Sequence, residues 1–256
     1  MYLQEPEHLH QTKITEIMNE IVYLNNGTGK LGLSSGTTNY VEIFQQYVVN
    51  DNTMAYIKLD NNVLDSSGNN YHFNQTGLTY YNNTKVPIFD KCGYFHSGVT
   101  VLAQNYASGF TSGITISCWI CLSGSSAQYA GIVVDRGYYN ANTTGFLKFS
   151  NAITVKSYVT GTAVTVGDVY DNLWHHLVVT YNGSNAYSYL DGVQYGPIAK
   201  TGPIILTGAG FRIGGDGWST YANTRNSIGY IDEVIIEKVA WSSSDVLFYY
   251  KKIKGI

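Results

Sequence analysis

The run WHHLVVTYNGSNAYSYLDGVQYG, Trp174 to Gly196, decides the fold. Two strand-length runs flank Asn182-Gly183, and a further reversal follows at Asp191-Gly192. Asn-Gly and Asp-Gly supply the positive φ angles of tight hairpins, so an antiparallel meander is written here. Between His175 and Tyr181 the side chains alternate: His175, Leu177, Val179 and Tyr181 point one way, His176, Val178 and Thr180 the other. Both faces are partly apolar, as expected of a strand inside a two-sheet sandwich.

The same pattern extends outward. From Met54 to Glu237, apolar strand-length runs alternate with Gly, Asn, Ser and Asp turns, and no helical period interrupts them. The expectation is two packed antiparallel sheets with Trp119 and Trp174 mostly buried. A short helix closes the chain over Ser242 to Tyr250, capped by Ser242, Ser243 or Ser244, with Val246, Leu247 and Tyr250 available to pack. Near the other end, TKITEIMNEIVYL (Thr12 to Leu24) carries Ile14, Ile17, Ile21 and Leu24 at spacings of three, four and three. That is the a/d rhythm of a coiled coil, and Ile at these positions leans toward a trimer. Two heptads are too short to be stable alone, so oligomerisation and docking on the chain's own sandwich both remain open. The division expected is an oligomerisation or attachment segment over 1–50 and one β-domain over 51–256.

Composition narrows the function. Charged residues make up 13% of the 256 and the formal net charge is −3, so no basic field exists to hold nucleic acid or anionic lipid. No run has the length of a membrane span, and MYLQEPEHLHQTK lacks the basic start and apolar core of a signal peptide. The 3 cysteines cannot all pair; Cys118 and Cys121 fall on opposite faces of a strand and have no second pair of zinc ligands. GTGKLG (Gly27 to Gly32) is not a phosphate loop, because Leu24 and Leu31 replace its first glycine and its hydroxyl residue. Tyrosine, at 23 residues, suits half-buried strands and wet interfaces.

The Trp174–Gly196 run resembles the laminin-G-like members of the concanavalin-A-like lectin and glucanase superfamily. Further landmarks stand in that family's order: AYIKLDNNVLDSSGNNYHF (Ala55 to Phe73), ITISCWI (Ile114 to Ile120), FRIGG (Phe211 to Gly215) and GYIDEVIIEKVAWSSSDV (Gly229 to Val246). The resemblance implies an all-β, concanavalin-A-like jelly-roll sandwich, to which the helices read above add a short one at each end. It also implies a structural calcium between Asp60 or Asp65, with Asn69 nearby, and Asp232. Oxygen ligands of that kind suit Ca²⁺, and the same residues equally suit Asx turns.

Glycosidases on this fold resemble one another in an ExDxxE-type strand. Here Asp232, Glu233 and Glu237 come in the wrong order; simple alternation puts Glu233 and Glu237 on one face and Asp232 on the other. No acid and nucleophile at hydrolytic spacing result, so the chain is read as non-enzymatic. Ligand binding is expected in two aromatic and polar loops. One supplies Asp135, Arg136, Tyr138 and Tyr139, the other Asp216, Trp218, Tyr221, Asn223 and Arg225. Rings to stack on sugars and polar groups for hydroxyls favour a glycan or host-surface receptor; a protein interface uses the same residue types. An Ile-rich helix joined to a Tyr-rich adhesive domain resembles viral appendage proteins such as phage fibres. A carbohydrate-binding or adhesion role on a virion or cell exterior is therefore expected, the alternatives being a structural virion subunit and a degenerate glycan hydrolase.

Overall fold

A computed structural model of the chain describes residues 49–254, except 76, 83–89, 97, 100, 104–112, 126–129, 136–145, 150–153, 160–161, 200, 203, 205–209 and 216–225. The expected helix with Ile14, Ile17, Ile21 and Leu24 lies outside the described residues.

Residues Val49–Ile256 form one compact unit built on two antiparallel sheets. Its strands are β1 (Thr53–Ile57), β2 (Phe73–Gln75), β3 (Thr79–Asn82), β4 (Lys91–Phe95), β5 (Val101–Ala103), β6 (Ile114–Ser125), β7 (Gly131–Asp135), β8 (Phe146–Phe149), β9 (Thr154–Val159), β10 (Thr162–Asp168), β11 (His175–Tyr181), β12 (Asn185–Leu190), β13 (Val193–Ala199), β14 (Phe211–Ile213) and β15 (Ser227–Glu237). The first sheet runs β13-β12-β11-β6-β15-β4-β3, with β1 also on β15; the second runs β10-β9-β8-β7-β14-β5-β2. Between them lies the core, which takes alternate residues such as Ile116, Cys118 and Ile120 of β6 and Leu177, Val179 and Tyr181 of β11. The sandwich expected from period-two patterning is therefore found, with Trp119 at 0% and Trp174 at 7% exposure.

The founding meander forms with two different turns. Asp191 and Gly192 both have positive φ, 52° and 79°, the signature of a two-residue type I′ hairpin. At Asn182-Gly183 only the glycine is left-handed, at 87°. There the Asn182 Oδ1 accepts hydrogen bonds from Ser184 N (3.1 Å) and Asn185 N (2.8 Å), closing the longer turn as an Asx motif. Gly214 of FRIGG is needed for contact: a Cβ there would stand 2.0 Å from the Phe95 ring.

The closing helix, α1 (Ser243–Lys254), runs four residues past the expected end. Ser242 and Asp245 make a reciprocal cap: Ser242 Oγ accepts from Asp245 N (3.2 Å), and Asp245 Oδ2 accepts from Ser242 N (2.9 Å). Lys251, Lys252 and Lys254 fill the last turn, where the helix dipole favours cations. The buried stripe is Val246, Tyr249 and Ile253, whereas Leu247, expected to pack, is 39% exposed.

Candidate functional site

The outer face of the first sheet gathers the side chains that could do chemistry, and strand register fixes their order. On one rung, Tyr230 of β15 stands between Cys121 of β6 and Tyr94 of β4. On the next, Trp119 of β6 stands between His176 of β11 and Asp232 of β15. Further along, Glu237 of β15 stands between Thr53 of β1 and Thr115 of β6. One face thus changes along the strands from aromatic to acidic.

The acidic part lies under α1. Val246 packs on Val178 and Tyr189, and the rings of Tyr249 and Tyr250 lie 5.0 Å from His176 and 6.0 Å from Trp119. Beneath them the sheet is polar and internally bonded. Ser117 Oγ and His176 Nε2 are 2.7 Å apart, Thr53 Oγ1 donates to Glu237 Oε1 at 2.7 Å, and the Tyr56 hydroxyl donates to Glu233 Oε2. Burial lowers His176 to about 3 and raises Glu233 to about 8 and Glu237 to about 7. At neutral pH the imidazole is therefore uncharged and Glu233 is mostly protonated, because the buried site disfavours the charged forms.

Asp232 does not face away from Glu233 and Glu237, as simple alternation required. Pairing with β6 shifts between Asp232 and Ile235, and Glu233 adopts a φ of +48°. This bulge inserts one residue and resets the alternation. Ile231, Val234 and Ile236 enter the core, which leaves Asp232 and Glu237 on the outer face and lets Glu233 reach Tyr56. The three carboxyls are brought to one side, yet each is at most 5% exposed. Hydrolysis needs two carboxyls flanking a substrate in a cleft, whereas these are closed off and held by their own chain. Nor is Ser117–His176 a nucleophile and base open to substrate: both residues are 0% exposed, and His176 Nδ1 has no hydrogen-bonded acid to orient it.

Where α1 ends, the face opens. Lys254 Nζ donates to the Trp174 carbonyl at 3.2 Å, and the Trp174 ring lies 6.4 Å from Tyr230. Tyr230, Tyr94 and Tyr81 then form a platform: Tyr94–Tyr230 centroids are 5.1 Å apart, and Tyr81 lies 5.7 Å from each, nearly edge-on. Tyr81 is 46% exposed, Tyr94 and Tyr230 are half-buried, and exposed His96 borders Tyr94 at 5.9 Å. A clasp steadies one flank. His175 places Nδ1 2.7 Å from Asp191 Oδ2 and Nε2 3.1 Å from Asp171, so both nitrogens meet carboxylates. The hydrogen bond to Asp191 is the main cause raising His175, with Asp171 adding to it.

A family model described as the Concanavalin A-like lectin/glucanases superfamily matches residues 96–247. The chain belongs to that superfamily. No curated protein sequence matches it. Among solved structures, this superfamily member is similar to the binding domain of Paraclostridial Mosquitocidal Protein 1, with 15% identity and a TM-score of 0.60 over 79% of this chain and 52% of that one. It is similar to the ligand-binding domain of botulinum neurotoxin serotype D in complex with N-acetylneuraminic acid: 16% identity, TM-score 0.61, 81% of this chain and 52% of that one. A third likeness is to domain 4 of the arabinanase AbnA from Geobacillus stearothermophilus in complex with arabinotriose, at 14% identity and TM-score 0.55, covering 77% and 98%. At these identities the likeness concerns the fold. This chain spans about half the length of the toxin domains.

The calcium set implied by the superfamily resemblance does not fit the geometry. Asp65 Oδ1 accepts from Tyr56 N and Ser67 N, and its Oδ2 from Ser67 Oγ and Tyr71 N, all within 3.0 Å. Four donors fill the carboxylate. Asn69 turns its amide nitrogen to the carbonyls of Thr53 and Met54, and Asp60 Oδ1 accepts from Lys91 N. Among the described residues no three His, Cys, Asp or Glu side chains could hold a metal. The Asx-turn reading is the one these contacts support.

Of the nine loop residues expected to bind ligand, only Asp135 is described, as the last residue of β7; Arg136, Tyr138, Tyr139, Asp216, Trp218, Tyr221, Asn223 and Arg225 lie outside the described residues. Register separates their anchors. Asp135 faces Phe211 at one end of the β7–β14 pair, while Asn226 bridges Gly131 and Gly215 at the other. Four residues of strand, about 13 Å, divide the two loop bases. The tyrosine platform had no sequence signal beyond tyrosine abundance, since Tyr230 meets Tyr94 only through the long-range pairing of β4 with β15.

Proposed function

We propose that this superfamily member is a non-catalytic carbohydrate-binding module. The observation that carries this reading is the Tyr81–Tyr94–Tyr230 platform, open to solvent on a sheet whose neighbouring carboxyls are sealed. Tyrosine offers an apolar face for a sugar ring and a hydroxyl for its polar edge. Structures of similar fold hold arabinotriose and N-acetylneuraminic acid, which supports the ligand class. The finer proposal is an adhesive part of a virion fibre or appendage that meets host-surface glycans. There Ile14, Ile17, Ile21 and Leu24 would join three copies, and avidity would strengthen weak single sites.

Retention of the full chain on a glycan array, with no reducing-end release from any bound oligosaccharide, is the expected result. Release of reducing ends would replace the module by a hydrolase. For the assembly, Ile17→Asp with Ile21→Asp should reduce a trimeric mass to monomer in light scattering while the β-sheet circular dichroism stays unchanged. Loss of that signal from an already monomeric protein would mean self-docking instead.

A further inference from the structure

Residues 169–174 carry the chain from β10 in the second sheet to β11 in the first. Asp171, Asn172 and Leu173 form an exposed bend in this crossover. We propose that His175 is a proton-operated clasp on it: the charged ring ties the bend to the β12–β13 hairpin, and the neutral ring keeps the hairpin and lets the bend go.

A carboxylate stands at each nitrogen of the ring. Nδ1 lies 2.7 Å from Asp191 Oδ2, and Nε2 lies 3.1 Å from both oxygens of Asp171. Only the imidazolium has two N–H donors, so only the charged ring serves both carboxylates at once. The neutral ring keeps one proton, which stays on Nδ1 at the shorter contact. Nε2 then turns a lone pair toward the Asp171 carboxylate, acceptor against acceptor. The two partners are held unequally. Asp191 Oδ1 also accepts from His176 N at 2.9 Å, Asp191 N donates to His176 O at 3.0 Å, and a Cβ on the following Gly192 would stand 2.9 Å from Leu247. Asp171 is fastened within its own bend, where Oδ1 accepts from Leu173 N at 2.8 Å. Asp171 is therefore the side that lets go, and the bend keeps a long tie to β6, Asn172 N to Leu122 O at 3.3 Å.

The carboxylate charges of this cluster are present at neutral pH. Burial works to raise Asp191, yet the hydrogen bonds of His175 and His176 N and the charges of His175 and Lys254 hold it below the ordinary 3.8. Burial also works to raise Asp171, where the hydrogen bonds of Leu173 N and His175 outweigh it. His175 is raised above the ordinary 6.5, first by its hydrogen bond to Asp191, with burial opposing and the charge of Asp191 and the contact with Asp171 adding. Lys254 and Tyr250 of α1 and His176 of β11 act on the cluster through Asp191, and the β6 residue paired with His175 is the apolar Ile120. The clasp is therefore closed above the carboxylate range and opens as pH rises through the elevated value of His175. Trp174, next to His175, has its ring 6.4 Å from Tyr230, which puts the switch at the border of the tyrosine platform.

The test is an NMR titration of the full chain from about pH 5 to about pH 9, following the His175 ring nitrogens and the backbone amides. Both ring nitrogens should carry protons at the acidic end, with a midpoint above 6.5. The amides of Asp171, Asn172 and Leu173 should move with that same midpoint, while Thr180 in the middle of β11 stays in place. Order parameters of the bend should fall from about 0.85 toward about 0.6 across the transition. Asp171→Asn should lower the His175 midpoint and leave the bend unresponsive to pH, because a carboxamide can donate to the neutral ring or accept from the charged one. His175→Gln should leave the bend mobile at every pH, with the β-sheet amide signals confirming that the sandwich is folded. A midpoint at or below 6.5 would overturn the clasp. So would a bend that stays rigid while His175 titrates, or one that still responds with the same midpoint in Asp171→Asn.

Discussion

Two halves of one sheet face reverse the usual rule that polar groups lie outside and apolar groups inside. Under α1 the face carries Ser117, His176, Asp232, Glu233 and Glu237, all buried. One rung away it carries Tyr81, Tyr94 and Tyr230, partly open to water. In the buried half, burial suppresses the charges of His176, Glu233 and Glu237, and hydrogen bonds such as Thr53–Glu237 and Tyr56–Glu233 offset part of the cost. The open half keeps its rings exposed with no fold-internal need to do so. The contrast teaches that acidic residues here serve architecture, while the aromatic group is available for recognition.

The largest effect should come from opening the covered half. Tyr249, 6% exposed and with its ring tilted 5.0 Å from that of His176, seals the polar strip, so Tyr249→Ala should cost about 3–5 kcal/mol in thermal or urea unfolding. A loss below about 1 kcal/mol would mean that α1 is not the seal described.

Next in size is Asp65, whose four accepted hydrogen bonds organise the loop after β1. Asp65→Ala should destabilise by about 2–4 kcal/mol, since several backbone donors lose their partner together. EDTA should leave the melting temperature of the unaltered protein in place. A chelator-dependent fall, with metal found by elemental analysis, would restore the calcium reading.

The pH dependence separates the halves more finely. Glu233 and Glu237 titrate higher in the folded chain than the ordinary 4.5, so the folded state holds their protons longer than the unfolded one. Their contribution is complete below about 4.5 and is lost as pH rises through about 7 to 8. His175, also raised, acts in the same direction, losing its contribution as pH climbs through its elevated value. His176 opposes them: lowered to about 3, it stays neutral while the unfolded imidazole gains a proton, so stability is lost as pH falls from about 6.5 toward 3. Melting temperature should therefore peak at mildly acidic pH. Glu237→Gln should flatten the fall between pH 5 and pH 8 by about 1 kcal/mol or more, about 2–4 °C. An unchanged slope would remove Glu237 from the cause.

The smallest stability effect belongs to the open half. Tyr81→Ala should change unfolding by less than about 0.5 kcal/mol, because an exposed ring supports little of the core. A cost comparable to that of Tyr249→Ala would show that the platform is structural and erase the comparison.

The amino-acid sequence alone determined the sandwich. Asp191-Gly192 wrote its hairpin, alternation sent Leu177, Val179 and Tyr181 inward, and the serines from Ser242 to Ser244 marked the helix start, where the structure shows Ser242 as the cap. These are local features, set by φ preferences and the two-residue period of a strand. Only the tertiary structure decided the rest. The bulge at Glu233 carried Asp232 to the side that simple alternation denied it, and β1 supplied the partners of Glu233 and Glu237 from more than 170 residues away. Pairing of β4 with β15, and of β3 with β4, assembled three scattered tyrosines, and α1 chose which rungs to cover. Cross-strand register depends on long-range packing, which no short window of sequence encodes.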